Sequence, residues 1–108
     1  MDWITRLSQC FEADAVYYTR HAKLEMENED FGPILDSEVH EAICAGAVIE
    51  EYTEHRPYPS ALIFGMTKRG RPLHTVCAYD EQDKCAIVIT VYQPDPQKWL
   101  DYRTRRTT

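Results

Sequence analysis

His74, Thr90 and Tyr92 are side chains that can move or share a proton. In a chain of 108 residues they fall in two neighbouring stretches with the alternating pattern of β-strands. An imidazole titrates near pH ~6.5 and serves as acid or base, while a phenol and a hydroxyl donate or accept hydrogen bonds. Close by in the sequence lies a basic turn, Lys68, Arg69 and Arg71, and a second basic cluster, Arg103, Arg105 and Arg106, stands near the C-terminus. A proton-transfer group beside cations is what a cleft for an anionic substrate needs. The plain alternatives are a polar rim on an open sheet face, because strands commonly display Thr and Tyr, and a solvated turn and frayed terminus for the two clusters.

The elements that must position these groups follow from caps and periodicity. Asp2 can cap a first helix whose Trp3, Ile4, Leu7 and Phe11 share one buried face. A short extended piece, Ala15 to Tyr18, leads to Thr19, the cap of a second helix over Arg20 to Glu29 that ends acidic and should face solvent there. Pro33 closes that segment; Asp36 or Ser37 opens a third helix with Val39, Ala42 and Ile43 inward, and Gly46 is its stop. The period then becomes that of strands. Ala47–Tyr52, Ala61–Met66, Pro72–Tyr79 and Cys85–Tyr92 are four strands, and the short polar connections Thr67–Arg71 and Asp80–Lys84 make the last three an antiparallel meander. Asp95 before Pro96 predicts a final short helix through about Arg103, with Trp99 and Leu100 docked on the sheet.

Alternation then sorts the hairpin's side chains. Leu73, Thr75, Cys77, Ile87, Ile89 and Val91 belong under the helices, and His74, Val76, Ala78, Val88, Thr90 and Tyr92 point the other way. A turn centred on Gln82 sets His74 across from Thr90 and Pro72 across from Tyr92, so His74, Thr90 and Tyr92 become neighbours.

Totals bound the rest. The length and an apolar share of 44% suit one domain over residues 1–108 with a single core. Cys10, Cys44, Cys77 and Cys85 stand apart, with no paired spacing for zinc, and read as reduced, mostly buried thiols. No leader or membrane span is recognisable, which makes the cytoplasm the expected location. The net charge of −6 argues against nucleic acid taken whole, but it is unevenly spread. Residues 1–55 hold thirteen Asp/Glu against three Lys/Arg, and residues 56–108 hold five against nine. The pairs Glu50-Glu51 and Glu27/Glu29 read as solvated faces, His40 and His55 as surface residues, and His21 either as a helix-start residue bonded to nearby backbone or as a functional group. No carboxylate–histidine cluster at ligand spacing appears, so neither metal nor cofactor is expected.

The string His21-Ala22, a strand after Gly46 ending in Glu50-Glu51-Tyr52, Gly70-Arg71-Pro72-Leu73-His74, Thr90-Val91-Tyr92-Gln93-Pro94-Asp95 and Trp99 resembles a prokaryotic family of small domains of unknown function over roughly residues 17–103. That family is similar in element order to the RelE-like and MqsR-like ribonuclease toxins, and Thr5 to Gln9 looks like the opening helix of the MqsR type. The resemblance implies an α+β fold with N-terminal helices, a four-stranded, mainly antiparallel twisted sheet and a short C-terminal helix. It also implies the toxin of a type II toxin–antitoxin pair, cleaving messenger RNA without a metal and held by a small antitoxin.

Metal-free RNA cleavage needs a base for the 2′-hydroxyl, an acid for the leaving 5′-oxygen and cations for the phosphate. His74, Tyr92, Arg71, Thr90 and His21 are the expected catalytic set, with Lys68, Arg69, Arg103 and Arg105 as RNA contacts. A non-catalytic module of the same fold, docking a small partner protein in the same groove, is the competing expectation. Oligomeric state is left open.

Overall fold

Asp2 accepts the Thr5 N–H and Thr19 the Ala22 N–H, each at 3.1 Å. These caps start α1 (Trp3–Glu12) and α2 (Arg20–Asn28) in a computed structural model of the chain that describes residues 2–107. A third helix, α3 (Asp36–Cys44), begins after Leu35, whose N–H is held by the Glu38 carboxylate at 3.0 Å. The strands are β1 (Val16–Tyr18), β2 (Ala47–Tyr52), β3 (Ser60–Met66), β4 (Pro72–Asp80) and β5 (Cys85–Tyr92), followed by the two-residue strands β6 (Trp99–Leu100) and β7 (Thr104–Arg105).

The α+β class and the β3–β5 meander are as expected, and β2 extends it by pairing antiparallel with β3; but the main sheet has five strands and is mixed, in the order β1-β5-β4-β3-β2. The extra member is the short piece before Thr19. Val16, Tyr17 and Tyr18 run parallel to Ala86, Ile87 and Val88, and Thr19 turns the chain away into α2. Three residues bounded by a cap are too few for strand periodicity to reveal a partner. Beyond β1, α2 covers the exposed edge of β5. Thr19 Oγ1 donates to the Ile89 carbonyl, Glu25 accepts the Val91 N–H at 3.1 Å and Glu29 the Gln93 N–H at 2.7 Å. Unpaired strand N–H groups are thereby satisfied by helix side chains.

The predicted C-terminal helix does not form. Asp95 does start a turn, its carboxylate accepting the Gln97 N–H at 2.9 Å and its carbonyl the Lys98 and Trp99 N–H groups. The chain then leaves helical geometry, because Asp101 and Tyr102 take left-handed conformations with φ of 50° and 63°. That turn folds β7 back on β6, and Trp99 docks on the sheet as expected, from a hairpin.

The principal core lies between the helices and one sheet face, where Leu7, Val39, Ile43, Leu73, Val88 and Val91 are fully buried. Cys10, Cys77 and Cys85 are free and buried, and desolvation raises all three thiol pKa values. No helix among the described residues is long and apolar enough to cross a membrane.

Candidate functional site

Two β-bulges decide what reaches the second face of the sheet. In β5, Thr90 opposes Val76 but Val88 opposes Cys77, which leaves Ile89 as an extra residue. The bulge moves Ala86 and Val88 into the principal core, while Ile87 and Ile89, expected there, are only half-buried. It also resets the register: Tyr92, not Thr90, stands directly across from His74. In β2 the register shifts between Val48 and Glu50. Val48 packs on the core, and the shift sends Glu50, opposite Leu62, to the same face as Phe64 and His74. Glu51 goes to the helix side, where it accepts the Trp3 indole N–H at 2.9 Å.

On that second face His74 is completely buried. Its Nε2 lies 2.5 Å from the Tyr102 carbonyl oxygen and its Nδ1 3.0 Å from the Tyr92 hydroxyl. A carbonyl only accepts, so Nε2 carries the proton; in the neutral ring Nδ1 then accepts from Tyr92. Trp99 stands edge-on to the imidazole with centroids 4.4 Å apart, and Phe64 and Tyr92 sit at 6.0 and 5.2 Å. Beside this aromatic box, Glu50 accepts from Tyr52 and from Arg105, whose Nε lies 3.2 Å away, and the Arg105 guanidinium stacks 4.6 Å over the Trp99 ring. Arg103 stacks 4.9 Å over Phe64.

The charges follow this packing. Burial is the largest influence on His74 and pushes its pKa below the usual imidazole value, helped by Arg105 and opposed by the Tyr102 bond and Glu50. Burial lifts the Tyr92 phenol, and burial with the Glu50 bond lifts Tyr52 to about 12. Glu50 pays desolvation, yet the bonds from Tyr52 and Arg105 hold it below the ordinary carboxylate range. Because His74 has a lower pKa folded than unfolded, the unfolded chain binds the extra proton first. Stability should therefore fall as pH drops below about 6.5, by at most about 1.4 kcal/mol per pH unit for this one group. Urea midpoints between pH 7.5 and 5 check this. His74→Gln, which cannot titrate, should flatten the slope; an unchanged slope would contradict a buried neutral imidazole.

The expected site residues divide between the two faces. His74, Tyr92 and Thr90 share the second face, and Arg103 and Arg105 join them from the C-terminal hairpin. Arg71 follows the parity of Leu73 and lies on the helix side. Its guanidinium donates to Gln93 at 2.8 Å, to the Pro33 and Gly32 carbonyls and to Glu38 at 3.3 Å. It clamps the α2–α3 connection to the sheet, and the sheet separates it from His74. Arg71→Ala should lower stability by about 2 kcal/mol, because it strands the part-buried Glu38 carboxylate and Gly32 carbonyl and frees the exposed Pro33 carbonyl to water. A urea midpoint unchanged by this substitution would refute the clamp.

Lys68 and Arg69 are exposed beside a groove of about 550 Å³ between α3 and the β3–β4 turn, and the Lys68 N–H donates to Glu41. His21 is exposed on α2 and pairs at 3.3 Å with Glu25, the carboxylate that accepts the Val91 N–H at the edge of β5. Glu50, Tyr52, Phe64, Trp99 and Tyr102 complete the face without having been singled out for it. Only the Glu-x-Tyr spacing of Glu50 and Tyr52 carried a signal, two residues that alternation places on one side. Among the described residues no group of His, Cys, Asp or Glu is arranged to hold a metal ion.

Fold and site together define an α+β domain whose sheet holds a buried histidine, bonded to a half-buried tyrosine, beneath a C-terminal hairpin. The chain belongs to the family described as "Domain of unknown function (DUF4258)", which matches residues 18–93, from the end of β1 to just past β5. No curated protein and no solved structure matches it.

Proposed function

We propose that this chain is a metal-independent endoribonuclease that cuts messenger RNA, the toxin of a pair completed by a small antitoxin, with a RelE/MqsR-like fold and a cytoplasmic site of action. The observation that carries this reading is the direct pairing of His74 with Tyr92 on adjacent strands, 3.0 Å apart, on the face that also receives Arg103 and Arg105. Tyr92 fixes the imidazole through Nδ1, which leaves Nε2–H aimed at an oxygen acceptor, now the Tyr102 carbonyl. That orientation sets a hydrogen-bond donor where the leaving 5′-oxygen would lie, and the ring becomes a proton donor to it once protonated to the imidazolium, with Tyr92 then accepting from Nδ1–H. Glu50 can take the 2′-hydroxyl proton once Arg105 turns from it to the phosphate, where Arg105 and Arg103 supply cations for the phosphorane charge. Thr90 lines the same face, whereas Arg71 supports it from behind.

The test is expression of the full chain and incubation of the purified protein with RNA at low salt in the presence of a chelator. Growth arrest together with cleavage is expected; neither one occurring would overturn the reading. The competing function, a non-catalytic module that docks a small protein, is favoured by one observation: His74 has no exposed surface and both its nitrogens are bonded. Stoichiometric co-purification with the neighbouring gene's product, without RNA binding or cutting, is its expected result.

A further inference from the structure

We infer that the hairpin formed by β6 and β7 is a removable strap, an internal occupant of the His74 site whose lifting opens that site to single-stranded RNA. For the identity of the incoming ligand this rests on the ribonuclease reading; for the lifting itself it does not.

The strap supplies what such a ligand would supply. Trp99 sets an aromatic ring nearly perpendicular to the imidazole, and the Tyr102 carbonyl gives Nε2–H an acceptor oxygen. A nucleobase and a sugar or phosphate oxygen offer the same two features, and aromatic side chains are the usual platforms for unpaired bases. Arg105 is held by a carboxylate and a ring, both replaceable by a phosphate and a base, so the lifted strap carries its arginines to the backbone of the RNA that takes its place.

The strap is also built to come away. Each of its strands has two residues, and a two-stranded hairpin has little stability alone. Its turn places two successive non-glycine residues at positive φ, a conformation that persists only while surrounding contacts hold it. Its outer surface is exposed at Leu100, Asp101, Arg103, Thr104 and Arg105. The contacts that anchor it come from four residues: Trp99 and Tyr102 on His74 and Phe64, Arg103 over Phe64, and Arg105 on Glu50. Lifting it from the turn at Asp95 and Pro96 disturbs no strand of the main sheet.

Two substitutions move the strap in opposite directions without touching His74. Arg105→Ala removes the tie to Glu50, and Asp101→Gly relieves the positive-φ turn and tightens the closed form. The readout is carbethoxylation of histidines by diethyl pyrocarbonate in the full chain, mapped by mass spectrometry, with exposed His21 as the internal reference. In the parent chain His74 should react at least tenfold more slowly than His21. Arg105→Ala should raise the His74/His21 ratio several-fold, and Asp101→Gly should lower it. Labelling of His74 as fast as His21 in the parent chain would overturn the strap. So would a ratio that neither variant changes while circular dichroism reports an intact fold. In a Trp3→Phe background, a ten-nucleotide single-stranded RNA should shift Trp99 emission to the red and require higher concentrations in Asp101→Gly. Labelling that follows the strap without RNA cleavage would retain the strap and reject the ribonuclease.

Discussion

Gly65→Ala is expected to remove a large part of the stability of the fold. A Cβ at residue 65 would stand 1.8 Å from the Ala42 carbonyl oxygen, 2.6 Å from its carbon and 3.0 Å from its Cα. All three atoms are backbone of α3, so no side-chain rotation relieves the overlap, and the helix must move off β3. The same contact is tight from its other side. A Cβ on Gly46 would meet the Ala42 oxygen at 2.7 Å and the Phe64 oxygen at 2.9 Å. Overpacking a rigid contact costs about 1–3 kcal/mol and more when backbone must shift, against a total of roughly 5–15 kcal/mol for a domain. A loss above about 3 kcal/mol in urea unfolding is the expected result. Gly70→Ala is the calibrating variant: its φ of 82° disfavours alanine, but nothing lies within 4 Å, so about 1 kcal/mol is expected there. A Gly65→Ala chain as stable as Gly70→Ala would show that α3 does not sit on β3 in this way.

These glycines also show how far the sequence could be read. Gly46 was expected to end α3 by its conformational freedom, and α3 does end just before it. The structure uses it for its missing side chain, where helix and strand backbones touch, and Gly65 had no sequence signal for the same role. Local codes were legible: the Asp2 and Thr19 caps, the four long strands with the meander of the last three, and the basic turn around Gly70 follow from short-range chemistry. What was not legible depends on a partner distant in the chain. Extra residues such as Ile89 and Ile49 look like ordinary strand residues, yet each bulge inverts the faces of everything beyond it. Thus His74, Thr90 and Tyr92 do share a face, but His74 pairs with Tyr92, and Glu50 arrives beside them from a carboxylate pair expected on a solvated face. The final helix failed for a related reason. Asp95-Pro96 is a sound local start, but Trp99, Tyr102 and Arg105 find better partners on the sheet than a helix would give them.

His74→Gln is the variant expected to change RNA cleavage most. Alanine at this fully buried position would leave a cavity and an unpaired Tyr102 carbonyl, so a lost activity could reflect a lost fold. Glutamine is similar in size and its amide can donate to that carbonyl, yet it neither takes up nor releases a proton. Positioned acid–base groups contribute about 10²- to 10⁴-fold, so cleavage and growth arrest should fall by that order while the urea midpoint at pH 7.5 stays close to the parent value. Tyr92→Phe acts on the other nitrogen. It removes the hydroxyl that fixes Nδ1 inside a desolvated box, so the proton is no longer confined to Nε2 and a drop of about tenfold is expected. Because Tyr92 works through the imidazole, the double variant should be no worse than His74→Gln alone, the non-additivity expected of groups that act as a unit. A folded His74→Gln chain that still cuts RNA at the parent rate would remove His74 from the chemistry. The pair would then stand as a buried polar contact holding the strap, and the surface above it would be left to binding.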